Sequence, residues 1–403
     1  MQEQSGGVDA AERPPSAWRN RDFRLLWMGQ TVSIFGDRIS GLALPWLVLL
    51  STGSPPATGI TFAAGQLPAL LLSPFAGMAA DRWERRRLML ICNLISALAL
   101  FTLASVALLG YLTYPHILIV MFVLGSASIG FLVAYGALLP ELVGRRSLAS
   151  ANAALEASDA LGTVAGPALG GALLQLLGPA LALAIDALSF ICSALTLASL
   201  HYCSNPAPIM EEPPPFWHEA SAGLRTLLKL PSLRLASICS VGLNLFSASI
   251  TLLLIQLTQQ RLGLSAGQAG FILAAAGIGG LCTSLLANRL THFPWGRLAA
   301  VTLLVAAGAC IWLSYSTHFW EAFVGNGILD GCIALSFIIV GSASSAVTPD
   351  RLLGRVNAAC QALYAIVRSA GPLVLGVVLT KWGTLPAFIC CAALLAGLAL
   401  LAA

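Results

Sequence analysis

Charge is what this sequence is short of. Only 9% of its 403 residues are charged, against 58% hydrophobic, and mean hydropathy is +0.85. A water-soluble globule of that composition has too little polar surface to cover its apolar bulk, which excludes an ordinary soluble enzyme or binding domain. Lysine is almost absent, with Lys229 and Lys381 the only two, and neither follows a glycine-rich run, so no phosphate-binding loop exists to drive a pump with nucleotide. The five histidines are scattered, and the ten cysteines are dispersed through apolar stretches, with only Cys390 and Cys391 adjacent. That excludes a metal centre and reads as small buried apolar residues, with no cofactor implied. No cluster of nucleophile, base and partner stands out, so the chain does not read as an enzyme. The net charge of +4 is too small and too dispersed to indicate a nucleic-acid partner.

Long apolar runs are what is present. A helix crosses the hydrocarbon of a bilayer with about 20 apolar residues. Twelve such stretches are predicted near 23–50, 57–80, 88–110, 115–139, 150–176, 179–201, 233–258, 267–290, 298–316, 320–346, 355–379 and 384–403. Arginine and lysine sort between the loops: 17 of the 21 basic residues flank alternate loops and the N-terminal lead. Positive charge is retained on the cytoplasmic side, so both termini are expected there. Residues 1–22 read as a disordered lead and not a cleaved signal peptide, since no apolar core precedes the first helix.

The chain is also duplicated. Asn152-Ala153, Gly166-Pro167 and Gly171 recur as Asn357-Ala358, Gly371-Pro372 and Gly376, at one offset of 205 residues. Ser54 and Gly59 recur as Ser265 and Gly270, at an offset of 211. A repeat that long means two homologous halves. The expected plan is an all-α membrane protein of two six-helix bundles, 23–201 and 233–403, joined by a cytoplasmic linker at 202–232. Prolines and acids break the hydrophobic rhythm of that linker, and residues 216–230 of it have room for a short surface helix.

Charges inside such helices are costly and mark function or a structural ion pair. Asp37 and Arg38 fall halfway along the first helix, pointing about 100° apart. Asp37 reads as a cavity-facing proton or cation site, and Arg38 as the partner of an acid on a neighbouring helix. Glu156 and Asp159, three residues apart on one face of the fifth helix, supply that acid or a second carboxylate site. Asn244, Asp330 and Arg368 are the corresponding candidates in the second half. Asp186, in the sixth helix, reads as a packing residue. Glycines four apart at Gly162, Gly166 and Gly170, with Gly171, present a flat face for close helix packing, and Pro167 bends the helix that carries them.

At the end of the second helix, Gly77, Asp81, Arg82, Arg85 and Arg86 resemble the cytoplasmic loop signature of the major facilitator superfamily, with Glu84 in place of its usual glycine. The resemblance implies that this acid and these bases lock the halves together on the cytoplasmic side. Gly162, Gly166, Pro167, Gly170 and Gly171 are similar to the fifth-helix motif of that superfamily's exporters. The fourth helix lacks the buried arginine that many of its drug-proton antiporters carry, so a role for that arginine does not transfer. The runs GQTVSIFGDRISGLALPWLVLL, PELVGRRSLASANA, TPDRLLGRVNA and LSAGQAGFILAAAGIGG look like the branch that holds enterobactin exporters and macrolide-efflux proteins. What the resemblance implies is a monomeric secondary transporter in a bacterial inner membrane. Its first, fourth, seventh and tenth helices line a cavity, and it exports an amphiphilic drug, macrolide or siderophore in exchange for protons. A lysophospholipid or nutrient transporter of the same fold is the alternative, and a non-transporting membrane receptor or scaffold the alternative of another class.

Overall fold

The computed structural model describes residues 17–201, 231–290, 294–348 and 353–402. Most of the expected lead and linker, 216–230 included, lies outside the described residues. So do the side chains of Gly77, Asp81 and Arg82, although their backbone is helical.

The helices follow from uniformly apolar sequence, in which the only way to satisfy backbone N–H and C=O groups in lipid is within the helix itself. In chain order they are α1 (Arg21–Thr52), α2 (Pro55–Arg82), α3 (Arg85–Leu108) and α4 (Tyr114–Val143). The helical stretch Leu148–Ala198 is broken at Gly178, whose φ of 79° and ψ of 170° suit only glycine. It therefore holds α5 (148–177) and α6 (179–198), the latter opened by Pro179, whose fixed φ and missing N–H fit a first helical turn. The second half continues with α7 (Pro231–Gln256), α8 (Ala266–Leu290), α9 (Trp295–Tyr315), α10 (Phe319–Val347), α11 (Leu353–Trp382) and α12 (Thr384–Ala402). One π-helical turn, Leu257–Arg261, extends α7.

Ten described stretches are long and apolar enough to cross a membrane, one of them holding both α5 and α6; α2, 28 residues long, completes the twelve. Buried residues fall into separate cores. One gathers α7 to α12 around Phe246, Leu303, Leu329, Phe388 and Leu395. Two others fill α1 to α6, around Leu42, Leu100 and Leu183 near one end and around Phe23, Met89 and Leu138 near the other. Large apolar side chains such as Leu98, Ile119, Leu161, Leu285, Val301 and Leu400 face outward, as a lipid solvent requires and water forbids.

The two bundles meet along α2 with α11 and along α5 with α8. Call the end that carries the arginine-rich loops the basic end, and the other the far end. At the far end the duplicated motifs interlock. Gly59 of α2 lies under the Pro372 carbonyl of α11, and Gly376 lies 3.0 Å from the Cα of Pro56, measured from the place a Cβ would occupy. Across the molecule, Gly270 of α8 lies under the Pro167 carbonyl of α5, and a methyl group on Gly171 would stand 2.6 Å from the Ala266 carbonyl oxygen. Each half thus offers a Gly-Pro helix to the Ser-x-x-x-x-Gly helix of the other.

Candidate functional site

A cavity of about 770 Å³ opens inside the first bundle, walled by α1 to α6. Its wall mixes Phe62, Met121, Phe131 and Phe190 with Gln30, Asn93 and four carboxylic acids: Asp37, Glu156, Asp159 and Asp186. Its lining is unevenly exposed: Thr58 and Thr61 of α2 are buried (0% and 3%), as are Asn93 and Ser96 of α3, whereas Asp37, Glu156 and Asp159 are exposed. Asp37 is surrounded by helices, so the surface it exposes belongs to the cavity.

Arg38 turns away from its neighbour, as the helical angle demands. Its Nη2 donates to Asp159 Oδ1 at 2.8 Å, joining α1 to α5. Its aliphatic stem lies on Gly166, and Ile34 lies on Gly162, each within 2.7 Å of where a Cβ would stand. Ile39 covers Gly170. The glycine motif therefore has two duties. Three of its glycines receive α1 within the same bundle, and only Gly171 and the Pro167 carbonyl face the other half. Glu156 lines the cavity one turn from Asp159.

Sequence reasoning gave Asp186 of the sixth helix to packing and did not single out the polar ridge it belongs to. Asp186, 1% exposed, accepts from Ser189 Oγ at 2.9 Å and from Ser40 Oγ of α1. Asn93 of α3 donates to Ser193 Oγ at 2.9 Å, and Gln30 of α1 reaches the same hydroxyl at 3.4 Å. Gly29 and Gly36 of α1 let this polar ridge come close, since a Cβ on either would collide with Thr196 or with Asp186 and Ser189. The signal was present in the spacing: Asp186, Ser189, Ser193 and Thr196 share one helix face, opposite two glycines seven apart.

A family model for transmembrane secretion effectors matches residues 14–403. The chain belongs to this family, within the major facilitator superfamily. Relatives of this chain include the multidrug efflux pump Tap of Mycolicibacterium fortuitum, 29% identical over 68% of this chain and 69% of Tap. The enterobactin exporter EntS of Escherichia coli (strain UTI89 / UPEC) is 28% identical over 88% of this chain and 84% of EntS. Among solved structures, a bacterial homologue of the human lysosomal transporter Spinster, inward-facing and occupied, has a TM-score of 0.74 at 15% identity, covering 94% of this chain and 95% of that one. The nucleoside transporter NupG has a TM-score of 0.75 at 15% identity, covering 94% and 97%. The fold is that of transporters, and the chain is not an enzyme.

The remaining candidate residues lie elsewhere. Arg368 Nε of α11 donates to Asn244 Oδ1 of α7 at 2.9 Å, a counterpart in the second half of the Arg38–Asp159 contact, with the arginine moved to the other helix. Neither residue lines the cavity, nor does Asp330 of α10, which is partly buried and has no hydrogen-bond or ion-pair partner among the described residues. Of the loop motif, Arg85 pairs with Glu141 of α4. Arg86 donates to the carbonyls of Leu197 at 2.9 Å and Ala198 at 2.6 Å, closing the C-terminus of α6. These described partners all belong to the first bundle. No group of three or more histidine, cysteine or acidic residues fit to hold a metal occurs among the described residues.

Proposed function

We propose that the protein exports an amphiphilic small molecule from the cytoplasm in exchange for protons, by alternating access between two rocking bundles. The supporting observation is the acidic, aromatic-lined cavity that holds an exposed Asp37 halfway along α1, with Thr58 and Thr61 buried in its wall. Aromatic and aliphatic walls suit the apolar body of a cargo, and the carboxylates suit proton exchange. The efflux and siderophore-export activities named for Tap and EntS point the same way. With the arginine-rich loops cytoplasmic, both termini and the linker at 202–232 lie on that side of a bacterial inner membrane. Bundles at 23–201 and 233–403 then rock against each other within a monomer.

Purified protein in liposomes with an imposed pH gradient tests this, with a hydrophobic dye, a macrolide and a catecholate siderophore as probes. Efflux that collapses with an uncoupler and falls to background in Asp37→Asn is the expected result. Gradient-independent movement, or cargo and protons moving in the same direction, favours a lysophospholipid or nutrient transporter and removes the exchange mechanism.

A further inference from the structure

The exchange cycle above makes no use of the most deeply buried acid in the cavity wall. Asp186 is fixed from two sides, by Ser40 of α1 and Ser189 of its own helix, and both of its oxygens accept a hydroxyl hydrogen. Gly36 presses against the same two α6 side chains, so α1 and α6 touch at the level of Asp37. Asp37 lies within electrostatic reach of Asp186 and of Arg38. No lysine or arginine donates to Asp186 among the described residues, and Arg38 directs its guanidinium to Asp159. Two carboxylates at this depth, with the nearby cation engaged elsewhere, cannot both carry full charge without a large electrostatic cost. Burial works against a charge on Asp186, and the two donated hydroxyls offset part of that cost by favouring its anionic form. Asp37 meets the cavity and can exchange a proton with it.

We infer that Asp186 is a positioning residue that sets the proton occupancy of Asp37: its charge, held by Ser40 and Ser189, keeps a proton on Asp37 until rocking or cargo changes the distance between α1 and α6. This rests on the proton-exchange reading and adds α6 to the helices that serve it. Arg38, next in the chain, also acts on Asp37 although its guanidinium turns to Asp159, and the other titratable groups lining the same cavity are Cys92 on α3, Tyr135 on α4, and Glu156 and Asp159 on α5; the described residues of α2 add none. The same cavity holds a second sign of a binding site: Thr58 Oγ1, fully buried in its wall, has no hydrogen-bond partner among the described residues, so a polar group entering the cavity would find one there.

The test is an infrared difference titration of the carboxyl stretch of the full-length protein in detergent, which needs no transport. A titrating band absent from Asp37→Asn is expected, with its midpoint moved about one pH unit towards acid in Asp186→Asn, the size usual for losing one nearby charge. Asp186→Glu should restore the midpoint. Ser40→Ala, which keeps the acid but loosens it, should move the midpoint the same way by less, and it carries the test if Asp186→Asn does not fold. An unmoved midpoint in both variants overturns the inference, as does a band lost in Asp186→Asn but kept in Asp37→Asn. Wild-type protein that shows this titration but no gradient-driven efflux would sink the exchange reading alone.

Discussion

Arg38 and Asp159 show how an intramembrane charge is accommodated. Their side chains are 37% and 52% exposed, and Asp159 lines the cavity, so their Coulomb attraction is screened. Asp159→Asn should therefore cost less than about 1 kcal/mol of stability. Thermal unfolding in detergent checks this, and a much larger loss would mean that the cavity is dry. Gly36→Ala is expected to be worse, because the added methyl group meets Asp186 and Ser189 and must force α1 from α6. Overpacking of that kind costs about 1–3 kcal/mol, a second outcome for the same assay. At this scale the sequence was partly legible. Helical angle alone sent Arg38 away from Asp37 and towards the acids of α5. Asp186 was not legible as the acceptor of Ser40, because residues 146 positions apart in a chain reveal no distance, and a lone acid among apolar residues reads equally well as packing.

The helices themselves were plain in the hydropathy, even to the break between 176 and 179 where Gly178 turns the chain. Their partners were less so. The repeated glycines announced close packing, yet not that Gly162, Gly166 and Gly170 receive α1 while Gly171 receives α8. The two seams between the bundles also differ chemically. On one, Gln175 Oε1 accepts from Ser265 Oγ and from the Gly267 N–H, both at 3.1 Å, closing the start of α8. On the other, the repeat offset puts Pro56 where Gly267 stands, and proline has no N–H to offer. Gln175→Ala should weaken closure of the α5–α8 seam by about 1–3 kcal/mol for its two bonds, and leave the α2–α11 seam unchanged. Spin-label distances between the far ends of α5 and α8, and of α2 and α11, measure both.

For the whole molecule, composition alone announced the membrane, and the fold adds where its boundaries fall. Tyr111, Tyr315, Trp320 and Trp382 stand exposed beside far-end loops, and Trp18, Trp83 and Trp295 beside basic-end ones, as rings do at the two interfaces of a bilayer. Single cysteines placed at residue 2 and residue 403 of a cysteine-free variant should both react with a membrane-impermeant maleimide only in inside-out vesicles. Labelling of the two from opposite faces would rule out an even number of crossings. The cargo stays illegible at this scale, since it depends on how wall side chains from six helices converge.

The shortness of the link at Gly178 has a mechanical result. With a single residue between α5 and α6, their far ends cannot separate, so a shift of the far end of α5 carries that of α6, and the helix bearing Asp186, along with it. Lengthening that hinge with a few glycines and serines should leave a folded protein whose halves still rock, but whose proton traffic slips out of step with its cargo.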